Sequence, residues 1–363
     1  MKILLVITKA EIGGAQAFIL NLARGLKKEG KDVSVAFGDG DYLPFELEKE
    51  SIPYFRMKYL KRSRNPLDTI NFIKELRLII QENNFNVLHL NSTNTLPGVL
   101  AAKFAKKKIK IVFTVHGLSV LDSNYQASKV IKSAFRMYFK LFLKFIDKTV
   151  FVSKYNFLEA KENNIIKKGE VIYNGLGLED GYFLNRESAR KELESISNTT
   201  FNGNFLIGSI GRLAAQKNYQ YIINNWQAIK KIKADAKLLI IGEGSERKRY
   251  EKLIRENKLE SDIYLAGEKK EASRLLKGLD LFILPSIYEG LSISLIEAVL
   301  AQIPALASDV GGNSEVIGND NCFDLSNGED LMDKLSKSIN IPKDIERFSL
   351  NKMVKKYIEV YGG

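Results

Sequence analysis

Residues 280–317, DLFILPSIYEGLSISLIEAVLAQIPALASDVGGNSEVI, constrain this chain more than any other stretch. Four apolar residues, Leu281 to Leu284, run into Pro285, which cannot donate to a ladder, so the run reads as a short buried strand stopped at its carboxyl end. A polar loop, 286–290, follows. An apolar pattern at helical spacing then extends from Ser292, a capping residue type, to Ala301. A second short strand at 304–307 leads into Gly311-Gly312 and another helix start. Two carboxylates, Glu289 and Glu297, sit eight residues apart, one in the loop and one in the helix. Open α/β sheets bind ligands beyond the carboxyl ends of parallel strands. The helix after the loop aims free N–H groups and its positive end at whatever occupies it, which suits an anion. Glu297 can accept hydrogen bonds from hydroxyls beside it.

This stretch resembles the donor-sugar motif of family 4 of the retaining glycosyltransferases, which have the GT-B fold. The family pattern is a strand, then proline-serine, a glutamate-glycine pair and a second glutamate; Pro285, Ser286, Glu289, Gly290 and Glu297 meet it here. The resemblance implies an α/β chain of two Rossmann-like domains, with parallel sheets facing a central cleft. The acceptor-side domain would cover 1–173 and the nucleotide-sugar-binding domain 174–345, with a last helix, about 346–363, packing back on the first. The implied reaction moves a hexosyl residue from a nucleoside diphosphate sugar, UDP by the family's habit, to an acceptor hydroxyl with retention of configuration. Glu289 would hold sugar hydroxyls and Glu297 the ribose diol, while Gly290, Leu291 and Ser292 bring the helix N-terminus to the leaving diphosphate. No cofactor beyond the donor is expected.

Length and charge narrow the partners. The chain's 363 residues suffice for two ordinary domains with full cores. No apolar run approaches the roughly 18–20 residues of a membrane span, and no signal segment is evident. One cysteine, Cys322, fits a reducing compartment, and two histidines leave no histidine-rich metal site. Residues 1–180 hold 29 Lys and Arg against 18 Asp and Glu, a net of +11 out of +12 for the chain. An anionic partner for that half is expected: a membrane surface, nucleic acid or a phosphorylated substrate. Between Arg56 and Lys154 the net reaches +14, with 19 Lys and Arg and 5 Asp and Glu. This concentration favours a peripheral position at an anionic membrane surface, and the resemblance implies a cytoplasmic enzyme at the inner membrane face that works on a lipid-linked or lipid acceptor. Nucleic acid is the weaker reading, since no nucleic-acid module is matched. The chain itself leaves its oligomeric state open.

In the first half, a strand at 2–7, Gly13-Gly14 and an amphipathic helix to about Glu29 form a loop where backbone can approach phosphate. The resemblance gives this glycine pair a donor contact. Strands are expected at 32–37, 87–90, 110–115, 149–152 and 170–173, alternating with helices as in a parallel doubly wound sheet. Asp39-Gly40-Asp41 looks like the metal-binding motif of a different glycosyltransferase fold, but nothing around it supports that fold, so it reads as a solvated loop. His89 and His116 both end strands. His89 reads as a hydrogen-bonded structural residue, while the resemblance implies that His116 contacts the transferred sugar. Lys103, Lys106, Lys107, Lys108 and Lys110 close one helix. Lys129, Lys132, Arg136, Lys140 and Lys144 fall at helical spacing on another, either a solvated stripe on a core-packed helix or an acceptor-facing or membrane-surface helix.

The glycine-rich residues 174–182 read as the linker, followed by strands at 205–210, 237–241 and 262–265. Gly211-Arg212-Leu213, with Lys217, reads as opening the helix after the first of these. Arginine's fixed fork and lysine's mobile charge suit a diphosphate, and the family matches them in that role. Glu268 falls where the family meets the base. Arg212 and Lys217 would neutralise the leaving group without a metal. Two other readings fit the same chain: a nucleotide-sugar epimerase or phosphorylase on this fold, or a non-enzymatic basic scaffold.

Overall fold

The computed structural model describes residues 1–363 except 64, 119, 123, 124, 126, 179, 180 and 363. The chain divides into two compact units: Met1–Leu121, Gln126–Gly177 and Glu346–Gly363 form one, and Asp122–Tyr125 with Leu178–Ile345 the other.

The first unit is built on seven parallel strands: β1 (Lys2–Ile7), β2 (Asp32–Phe37), β3 (Tyr54–Arg56), β4 (Val87–Asn91), β5 (Lys110–Val115), β6 (Lys148–Phe151) and β7 (Glu170–Val171). Their order is β3-β2-β1-β4-β5-β6-β7. Successive residues of β1 serve opposite faces: Ile3, Leu5 and Ile7 pack into one buried cluster and Leu4 and Val6 into another. This explains its unbroken apolar run, since a parallel sheet covered on both sides has no polar face. The helix Leu350–Gly362 belongs to this unit, burying Met353, Val354, Tyr357, Val360 and Tyr361.

The second unit carries six strands: β8 (Leu206–Ile210), β9 (Lys237–Ile241), β10 (Ile263–Gly267), β11 (Leu281–Leu284), β12 (Ala305–Ser308) and β13 (Cys322–Phe323). They run in the order β10-β9-β8-β11-β12-β13, all parallel. Both units are therefore Rossmann-like, as the alternation of strand and helix predicts. Strands β3 and β13 were not expected; at three and two residues they are too short for a periodic signal.

The boundary between the two units, from Gly177 to Leu178, falls inside the linker read at 174–182, and the residues before it are packed. The Leu176 N–H donates to the Phe348 carbonyl at 2.9 Å, and a Cβ on Gly175 would lie 2.5 Å from the Ser349 carbonyl. A Cβ on Gly177 would meet Leu350 Cδ2 at 2.5 Å. These glycines admit the C-terminal helix rather than supply flexibility; residues 179 and 180 lie outside the described residues. Among the described residues no helix is long and apolar enough to cross a membrane.

Candidate active site

The strand order of the second unit reverses beside β8: the chain goes out to β9 and β10, then returns on the other side as β11. Loops leaving the carboxyl ends of two such strands open a crevice between them. Arg212 and Lys217 follow β8, and residues 285–292 follow β11. Two hydrogen bonds join these loops. The Ile287 N–H donates to the Gln216 carbonyl at 2.8 Å, and Gln216 Nε2 donates to the Tyr288 carbonyl at 3.0 Å.

Across this junction Lys217 Nζ lies 2.6 Å from Glu289 Oε1, and Ser286 Oγ donates to the same oxygen at 2.7 Å. The side chains of Lys217 and Glu289 are only 16% and 9% exposed, so a carboxylate withdrawn from water is matched by one cation and one hydroxyl. Lys217 does not open the following helix as the sequence suggested. It ends a single 3-10 turn, Ala215–Lys217, and Asn218 turns left-handed at φ 53° before the helix Tyr219–Asn224. That break frees Lys217 to meet Glu289. A Cβ on Gly211 would approach the Tyr219 hydroxyl to 2.8 Å and Lys217 Cε to 3.3 Å, which keeps this position small. Arg212 is exposed. Burial raises the Tyr288 hydroxyl above its ordinary range, and the Arg212 charge opposes that shift.

The β11 loop rests on the end of β12. Ser308 Oγ donates to the Ser286 carbonyl at 2.5 Å and the Gly312 N–H to the Gly290 carbonyl at 2.9 Å. Gly311, at φ +56°, passes so close that a Cβ would stand 2.1 Å from the Glu289 carbonyl oxygen. Beyond Gly290 and the buried Leu291, Ser292 caps the helix Ile293–Leu300 by accepting from the Leu295 N–H at 3.4 Å. Glu297, half-buried on that helix, has its carboxyl raised to about 7 by removal from water, with a hydrogen bond from Ser273 pulling the other way. The Ser273 hydroxyl is also 2.8 Å from that of Tyr182. Glu268 follows β10 and is exposed.

The first unit has its own reversal, between β1 and β4, where Thr8 Oγ1 and Ser92 Oγ meet at 2.6 Å. Gly13 and Gly14 begin the helix Gly14–Lys28 there, and a Cβ on Gly13 would come within 2.6 Å of Gln16 Oε1. His116 follows β5, with Nε2 3.2 Å from Asn91 Oδ1, and burial holds its imidazole down at about 4. His89 is fully buried, with one ring nitrogen 2.7 Å from the Tyr361 hydroxyl and the other 2.7 Å from Thr114 Oγ1.

The basic residues fall into paired and exposed groups. Lys107 reaches the carbonyl end of a neighbouring helix, Pro66–Asn83, at Gln81 O and Asn84 Oδ1, and Lys103 lies over the Phe145 ring at 3.8 Å. Along the helix Lys129–Leu143, Arg136 Nε donates to Asn163 Oδ1 and Lys132 to the Leu121 carbonyl, whereas Lys129, Lys140 and Lys144 are exposed. The five cations therefore do not act as one solvated stripe. Beside the exposed ones stand Val130, Met137 and Leu141, 77%, 71% and 53% exposed. Among the described residues no three His, Cys, Asp or Glu side chains gather closely enough to hold a metal ion.

Two sequence-family models match the chain. Glycosyltransferase Family 4 matches residues 12–180 and Glycosyl transferases group 1 matches residues 190–355. The chain is a GT-B glycosyltransferase. An uncharacterized glycosyltransferase of Methanocaldococcus jannaschii is 26% identical over 74% of this chain and 66% of its own length. The N,N'-diacetylbacillosaminyl-diphospho-undecaprenol alpha-1,3-N-acetylgalactosaminyltransferase of Campylobacter jejuni is 23% identical over 95% of this chain and 94% of its own. Among solved structures, Anabaena HepE in complex with UDP superposes with a TM-score of 0.79 at 16% identity, covering 100% of both chains. In this glycosyltransferase the sequence pointed to Arg212, Lys217, Glu289 and Glu297. It did not single out Gln216, Ser308 or Ser273. They are common polar residues without a motif, and only the tertiary structure gives them partners.

Proposed function

We propose that this glycosyltransferase takes a hexosyl residue from a nucleoside diphosphate sugar, UDP as its base-bearing carrier, and passes it to an acceptor hydroxyl with retention of configuration. The observation that carries this reading is the Lys217–Glu289 pair at the strand-order reversal, next to a capped helix N-terminus and the exposed Arg212. Arg212, Lys217 and the N–H groups after Gly290 would stabilise the charge that grows on the leaving diphosphate. Glu289 would then hold sugar hydroxyls, Glu297 the ribose diol, Glu268 would lie by the base, and Gly13, Gly14 and His116 would complete the donor contacts. The bond from the anomeric carbon to the diphosphate breaks, a bond to the acceptor oxygen forms on the same face, and the acceptor proton passes to a leaving-group oxygen. The two cations do the work of a metal, so activity should persist in excess EDTA. UDP bound by the Anabaena structure supports the choice of nucleotide.

The acceptor is proposed to be a lipid-linked saccharide or lipid headgroup presented at the cytoplasmic face of a membrane. The exposed cations and apolar residues of the helix Lys129–Leu143 support this, as does the diphospho-undecaprenol-linked substrate named for the Campylobacter relative. Proton NMR of the first product bond tests the reaction: an anomeric coupling matching the donor's is expected, and an inverted one overturns retention.

A further inference from the structure

We propose that Asn91 sets the tautomer of His116, leaving its Nδ1 as a hydrogen-bond acceptor for a hydroxyl of the transferred sugar. The proposal rests on the reading of His116 as a sugar contact. Asn91 ends β4, is fully buried, and lies beside Thr114 of β5, two residues before His116. Its amide has two ends, and the structure distinguishes them. Nδ2 stands 3.2 Å from the His89 carbonyl oxygen, and a carbonyl can only accept, so the NH₂ group must point there. Oδ1 therefore faces His116 Nε2, also at 3.2 Å. An amide oxygen likewise only accepts, so Nε2 carries the proton.

A neutral imidazole has a single N–H, which leaves Nδ1 with its lone pair. The ring is neutral across the working range because burial holds it near 4. The Phe18 ring also packs against it edge-on, with centroids 4.7 Å apart. Nδ1 has no hydrogen-bond partner among the described residues. A neutral lone pair in that place receives a hydroxyl hydrogen and repels a carboxylate. The site is thereby matched to a donor whose sugar carries a hydroxyl at the carbon facing His116, and set against a uronic acid with its carboxylate there. Asn91 touches no substrate in this scheme; it is a positioning residue.

The chain has two histidines, so long-range ¹H–¹⁵N correlation spectra of ¹⁵N-histidine-labelled protein need only one variant, His89→Gln, for assignment. In the wild type, His116 is expected to show a protonated Nε2 and an unprotonated Nδ1 at pH 7, with the Nδ1 resonance moving on donor addition as it accepts a hydrogen bond. A protonated Nδ1 overturns the proposal without any variant being made. Asn91→Ala should mix the two tautomers and lower kcat/KM for the donor about tenfold, the effect of one buried hydrogen bond. Unchanged tautomer populations in that variant overturn the proposal as well. The spectra do not depend on turnover, so a failure of the sugar-contact reading would appear separately, as full donor turnover by His116→Ala.

Discussion

Lys217 and Glu289, 72 residues apart in sequence, form a 2.6 Å ion pair at the junction of the β8 and β11 loops. The cation proposed for the leaving diphosphate is thus also the partner of the carboxylate proposed for the sugar. A phosphate that drew Lys217 away would leave Glu289 Oε1 with Ser286 alone and make room on that oxygen for a sugar hydroxyl. Donor phosphate and donor sugar would then be sensed through one contact.

Lys217→Ala and Arg212→Ala should differ in stability and agree in catalysis. Each removes a charge-assisted contact worth roughly 1.5–3 kcal/mol, hence about tenfold to over a hundredfold in kcat/KM for the donor. Lys217→Ala also strands a buried carboxylate, at a cost of about 3 kcal/mol in unfolding free energy, while Arg212→Ala on the surface should stay within about 0.5 kcal/mol. Steady-state kinetics with urea unfolding of both variants checks this. Equal stability for the two would mean the ion pair is weak.

The pair also shows what sequence reveals and what it hides. Buried parallel strands such as β1, β5 and β11 are legible as short apolar runs, and the Pro285–Glu297 spacing locates the loop and helix of the site. Pairing between residues so far apart leaves no local trace, and neither does the support of the Glu289 carbonyl by Gly311. The boundary between the units falls within 174–182, as the glycines there suggest, but the close packing of Gly175 and Gly177 on the C-terminal helix leaves no trace in the sequence, because a linker and a close approach both call for glycine. Arg136 looked like part of a free stripe because periodicity records the face a residue occupies and not its partner, Asn163.

Glu297 should make both stability and donor use depend on pH. Its folded-state carboxyl titrates near 7, above the ordinary 4.5, so between those values the folded chain keeps a proton that the unfolded chain has released. Folding stability from this group therefore falls as pH rises from about 4.5 to 7. The ribose diol proposed for Glu297 would prefer the ionised form, so donor KM should fall as pH rises through 7. Glu297→Gln should flatten both profiles, raise the Tm at pH 8 and raise donor KM. Thermal scans and kinetics between pH 5 and 8 test this; profiles identical to wild type would remove Glu297 from the donor site.

Membrane binding should follow the exposed cations only. Reversing Lys129, Lys140 and Lys144 to Glu should weaken co-sedimentation with anionic vesicles, since each cation near such a surface contributes about 1 kcal/mol. Binding should fall with salt as the Debye length shrinks. Arg136→Glu should instead lower the Tm through loss of its contact with Asn163. Equal partition into neutral and anionic vesicles would favour a soluble acceptor.

Mass spectrometry of the nucleotide released from a panel of nucleoside diphosphate sugars bears most directly on the chemistry of the Lys217–Glu289 site. Wild-type protein should release nucleoside diphosphate from a UDP-hexose, with and without excess EDTA, and Lys217→Ala/Glu289→Ala should not. Release that requires Mg²⁺ or Mn²⁺, or that continues undiminished in the double variant, would contradict a donor site built on this ion pair.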